Sequence, residues 1–219
     1  MLSSRERLQE RQGQYAAPRH EYLQQLVEEF QRSPDVLRKE EVVANLANFA
    51  YDPINYTSLS RLRIMDLFLD ILDADQEAKA SGNDEETKEP AQRGPATTSS
   101  QLFGKKKLVE FALGGICNCI PYLPLQQQFI DGEGVEILAP YILQTAVNSA
   151  PTSSRELNVI VFALTTAYFL LDSSAFADIT SDMFRDKMQS LQTHQSAQIA
   201  NTAAAFLSRY QELLQQVST

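Results

Sequence analysis

Two histidines and two cysteines are few for a chain of 219 residues. His20 and His194 sit in polar segments, with no nucleophile or metal-ligand set close by in sequence. Cys117 and Cys119 fall two apart on a predicted helix, where side chains diverge by about 200°. That spacing excludes a shared metal and a mutual disulfide, and it fits reduced thiols in a reducing compartment. Neither a Gly-x-Ser-x-Gly elbow nor a phosphate loop ending in Gly-Lys-Ser/Thr is present. The paired carboxylates Glu28-Glu29 and Glu85-Glu86 lie on a solvated helix and in a polar loop. Catalysis therefore finds little support, and no enzyme activity, cofactor, metal or small-molecule substrate is expected. Basic residues are also in deficit, at 19 Lys and Arg against 28 Asp and Glu, for a net charge of −9. Broad phosphate gripping needs the opposite balance, so RNA contact is expected to be weak or indirect. No apolar run approaches the ~20 residues that span a bilayer, and the N-terminus lacks an apolar signal core. A soluble intracellular protein without membrane contact is expected.

What the chain does have is helical periodicity. Tyr22, Leu23, Leu26, Val27 and Phe30 share one face of a first helix, which Ser33-Pro34 ends. Leu37–Ala50 forms the next helix and Asp52-Pro53 stops it. A short piece near Tyr56–Leu62 precedes a stripe of Ile64, Leu67, Phe68, Ile71 and Leu72. Helices over 108–120, 125–130, 135–147, 155–171, 183–191 and 196–217 complete the reading. Sustained period-two alternation is lacking, so the fold class is all-α.

Two segments stand apart. The polar arm 1–20 carries Arg5, Arg7, Arg11 and Arg19. Residues 74–104 lose their aliphatic and aromatic side chains until Leu102, and such a stretch cannot offset its ordering entropy by burial. We read it as a disordered insertion.

The helices repeat. The run Glu41-Val-Val-Ala-Asn-Leu-Ala-Asn48 is echoed by Val109-Glu-Phe-Ala-Leu-Gly-Gly-Ile-Cys-Asn118. Asn48 and Asn118 lie about 70 positions apart, or about 40 without the insertion, within the armadillo and HEAT period. The third equivalent is Thr166. This spacing predicts a right-handed α-solenoid of about four repeats over 21–219, with boundaries at Glu21–Asp52, Pro53–Tyr122, Leu123–Asp172 and Ser173–Thr219. Gly114 and Gly115 fit close approach between adjacent third helices of such a stack.

The residues Asn45-Leu-Ala-Asn-Phe-Ala-Tyr-Asp-Pro53, Asn55-Tyr56, Asp66-Leu-Phe-Leu-Asp70 and Leu108–Asn118 resemble the armadillo superfamily, and within it the armadillo-repeat-containing protein seven family. The resemblance covers about Tyr22 to Gly134 without the insertion. It implies a non-catalytic nuclear splicing factor. It further implies a heterodimer with an RNA-recognition-motif protein in the minor spliceosomal ribonucleoprotein. In armadillo proteins that hold extended peptides, an Asn on each third helix binds the peptide backbone and a Trp four residues earlier forms a platform. The Asn positions here are Asn48, Asn118 and Thr166; the platform positions are Ala44, Gly114 and Phe162. This chain has no Trp at all, which counts against the alternative of a general peptide-groove protein for transport or cytoskeletal cargo. Each Asn serves equally well as an inter-repeat hydrogen-bonding group. Glu41 and Glu110 fall seven and eight positions before their Asn, placed to receive a partner's Arg or Lys, or simply to be solvated. Tyr51, Asp52 and Tyr56 cluster at the end of the first repeat as further contact candidates. Lys105-Lys-Lys107 is a candidate phosphate contact at a helix start, or a solvated junction.

Overall fold

The computed structural model describes residues 18–81 and 98–217. Within them the chain is built from α-helices and one 3-10 turn, with no strand. In order these are α1 (Arg19–Arg32), α2 (Val36–Ala50), the 3-10 turn Pro53–Asn55, α3 (Tyr56–Arg61), α4 (Ile64–Ala80), α5 (Thr98–Cys119), α6 (Leu123–Asp131), α7 (Gly134–Leu143), α8 (Ser154–Leu170), α9 (Phe176–Ile179), α10 (Asp182–Leu191) and α11 (Ala197–Val217). The all-helical expectation is borne out. Two boundaries differ most from the sequence reading, and the helix expected over 135–147 also ends earlier, at Leu143. Helix α4 continues to Ala80 and α5 already begins at Thr98, so both ends of the supposed insertion 74–104 are helical. Its centre, 82–97, lies outside the described residues, as does the arm up to residue 17. Helix α1 starts at Arg19, just before the expected limit of the arm.

The chain divides into two compact units after Gly115, inside α5. In the first, α1 packs on α2 and α3, and α3 on α4. Leu23, Leu26, Val43, Leu46, Leu59, Met65, Phe68 and Leu72 form its buried centre. Local chemistry sets the helix limits. The Asp35 carboxylate accepts the Leu37 N–H at 3.0 Å and caps α2. Asp52 does the same for Ile54 at 3.4 Å, ahead of Pro53, and so opens the 3-10 turn.

In the second unit α11 lies against α8 and α10, while α7 contacts α6, α8 and α10. Its centre holds Ile120, Phe129, Leu138, Leu164, Ala167, Met188, Ala203 and Phe206. Ser153 caps α8 by accepting the Glu156 N–H at 3.1 Å, and Glu156 reaches back to the Thr152 N–H at 2.7 Å. The β-branched run Val159-Ile-Val161 is helical inside α8.

One junction plan occurs in both units. After α2, Asn55 Nδ2 donates back to the Phe49 carbonyl at 2.8 Å; after α5, Gln126 Nε2 donates back to the Ile120 carbonyl at 3.3 Å. Both amides are buried, and each satisfies a carbonyl that a helix end leaves open. A proline sits at the start of the next element in both cases. The following turn then passes through a left-handed residue, Arg63 (φ 51°) or Glu133 (φ 56°), each fifteen positions after its Asn. The glycines of Asp131-Gly-Glu-Gly134 do not supply that conformation. Gly132 has φ −92°, and Gly134 is needed for space, because a Cβ there would stand 2.5 Å from the Phe129 carbonyl oxygen.

Candidate functional site

Helix α2 turns Val42, Val43, Leu46, Ala47 and Ala50 inward. Glu41, Asn45 and Asn48 are thereby exposed along one stripe, with Ala44 half-buried at its edge. Tyr51, at the helix end, is 62% exposed. Asp52 and Tyr56 are half-buried and already make interactions within the chain. Glu41 is exposed and accepts the chain's own Arg38 Nη1 at 2.7 Å. Arg38 also grips Glu29 at 2.5 and 3.0 Å and so ties α2 to α1. The Arg38 hydrogen bond holds the Glu29 carboxyl below its ordinary value. Beside this stripe, Tyr22 meets Phe49 edge to face at 5.8 Å, and the Arg19 guanidinium lies 4.9 Å from the Phe49 ring centre.

On α5, Glu110, Gly114 and Asn118 are half-buried, and Glu110 and Asn118 are engaged within the chain. Close packing centres on Gly115, where a Cβ would lie 2.5 Å from the Phe68 ring. The glycine makes room for a ring of α4, within the first unit. The lysine triplet also moves, because α5 begins at Thr98 and carries it mid-helix. Lys107 Nζ is bound to Glu40 Oε2 at 3.2 Å instead of standing free for a phosphate.

In the second unit Phe162 is half-buried and Thr166 is 0% exposed. Thr166 is thus withdrawn from any surface, a correction to its candidacy. The residue is inward-facing among Ala163, Leu164 and Ala167. Its hydroxyl has no hydrogen bond of full geometry, and its polar neighbour is the Cys117 thiol. Burial pushes that thiol up to about 11, with Thr166 opposing the shift. Burial and the neighbouring Cys117 push Cys119 up to about 12. Both thiols are free, as their spacing predicted.

Sequence reasoning missed the buried His194. Its Nδ1 accepts the Ser196 N–H at 2.9 Å, and its Nε2 meets the Ser149 carbonyl at 3.1 Å. With Lys187 on the Thr145 carbonyl and Gln195 on the Asn148 carbonyl, it fastens the loop between α7 and α8. The polar sequence around His194 gave no signal of burial.

No family model matches the chain. Part of it is similar to mouse Armadillo repeat-containing protein 7, at 40% identity over 96 residues. The match covers 44% of this chain and 34% of that protein, so it spans about a third of the relative's length. An armadillo-type helical repeat is consistent with this likeness and with the helical architecture. Among the described residues no helix is long and apolar enough to cross a membrane.

Proposed function

We propose that this protein is a non-catalytic adaptor that docks an RNA-recognition-motif protein in the minor spliceosome and so supports pre-mRNA splicing in the nucleus. The observation that carries the reading is the partial 40% identity to an armadillo-repeat protein, joined to an all-helical fold. Helical repeats present extended surfaces and few enclosed pockets, which suits holding another folded protein. The exposed stripe of α2, with Asn48 and Tyr51, is the face that best fits such contact. A net charge of −9 leaves the RNA to the partner. The peptide-groove alternative loses ground, since its third rung at Thr166 is inside the core.

Affinity purification of the full chain from nuclear extract, read by mass spectrometry, tests the proposal. An RNA-recognition-motif protein with minor-spliceosome components is expected, and a Tyr51→Ala, Asn48→Ala variant should recover much less of it. Recovery of transport or cytoskeletal cargo alone overturns the reading. So does tight binding of short RNA by the pure chain at physiological salt with a steep salt slope.

A further inference from the structure

We propose that Lys107 is a charge-dependent control point, at which acylation of its amine loosens α5 from α2. Glu40 of α2 is 5% exposed, among the most buried charged residues described. One carboxylate oxygen receives Lys107 Nζ at 3.2 Å, and the other, Oε1, has no hydrogen-bond partner. The Lys107 side chain retains 41% of its surface, against 7% for Glu40. The pair is therefore lopsided. A reagent can reach the ammonium, while the carboxylate depends on it for compensation.

An acyl thioester of the coenzyme A class is the matching co-reactant. Lys107 Nζ first gives up a proton to solvent. The free amine then attacks the thioester carbonyl; the new C–N bond forms as the C–S bond breaks, and the sulfur leaves as a thiol with the second amine proton. No electrons are exchanged, and the side chain changes from a cation to a neutral amide. Glu40 is then an uncompensated charge in the interior, a more costly state than the absence of the whole pair.

The asymmetry makes the idea testable in the full chain. Site-specific replacement of Lys107 by Nε-acetyllysine, and Lys107→Gln, should each lower Tm by about 5 °C or more. They should also speed amide exchange in 36–50 and 107–115. Glu40→Gln should change Tm by less than about 2 °C, because the remaining ammonium can hydrate. The double variant Glu40→Gln, Lys107→Gln should return close to wild type. An acetylated protein within about 1 °C of wild type overturns the proposal, and so does a double variant as unstable as Lys107→Gln. Treatment of the native protein with an acetyl thioester, mapped by mass spectrometry, provides the access test. Modification of Lys39 and Lys79 with Lys107 untouched also overturns it.

Discussion

The junctions after α2 and after α5 share a backbone plan, while the one after α8 departs from it. The first two use a back-reaching buried amide, a proline start and a left-handed residue. The third uses Ser173, whose hydroxyl donates to the Leu170 carbonyl at 2.6 Å, and no left-handed turn; Ser181 is extended at φ −55°, ψ 157°. The difference tracks the Asn48, Asn118, Thr166 series, in which the third member is also the odd one. Repetition here lies in where the chain bends, more than in which side chain does the bending. Arg63 and Glu133 carry opposite charges in one conformation, and Asn55 and Gln126 differ in length while making one type of bond.

Substitutions can break that comparison at graded strength. The largest effect is expected at Gly134. Gly134→Ala meets a backbone carbonyl at 2.5 Å and should cost about 3 kcal/mol in urea unfolding. Gly115→Ala meets a ring edge instead and gains helix propensity, so its loss should be nearer 1 kcal/mol. Equal losses would show that the Phe68 ring is as immovable as backbone. Next come the amides. Asn55→Ala should cost about 1.5 kcal/mol and Gln126→Ala about 0.5–1, in line with bonds of 2.8 and 3.3 Å. Thermal melts that rank them the other way would undo the parallel.

The left-handed residues should respond with opposite sign. Glu133→Gly relieves a strained φ and should stabilise by about 0.5–1 kcal/mol. Arg63→Gly should gain less, because Arg63 binds Asp66 through two nitrogens at 2.6 and 2.9 Å. The smallest effect belongs to Asp70. Desolvation, then Asp66 and Asp73, raise its carboxyl above the ordinary value. A raised acid is disfavoured in the folded state once ionised, so its penalty is present at neutral pH and is relieved as pH falls through the raised value. Asp70→Asn should therefore raise Tm slightly at pH 7, by an amount that shrinks toward zero in acid. A loss of stability at pH 7 would contradict the sign.

Much of the fold was legible because apolar spacing and breakers act locally. Ser33-Pro34, Asp52-Pro53 and the stripe at Ile64–Leu72 each marked helix limits or faces that the structure keeps. The limits at 74 and 104 were missed because Asp73-Ala-Asp-Gln-Glu-Ala-Lys79 reads as solvated polar sequence. Such residues propagate a helix well once an apolar stripe has started it, and Lys79 pairs with Asp75 one turn back. The candidate site was less legible. Asn48 and Tyr51 are outward as expected, but Thr166 is inside and Glu41 is bound by Arg38. Those outcomes depend on which residue of a neighbouring turn or helix arrives opposite, and spacing along one helix does not contain that information. Glu40 shows the same limit. It precedes its exposed neighbour Glu41 by one position, and that 100° of rotation separates a buried carboxylate with a half-exposed partner from a surface ion pair.

The shielding of Cys117 and Cys119 has a practical corollary. With both sulfurs slow to ionise at neutral pH, a maleimide dye or spin label should ignore the native protein. A single cysteine engineered at Tyr51 would then carry the probe alone, and its emission or line shape would report arrival of a binding protein at that spot without any need to edit the natural thiols.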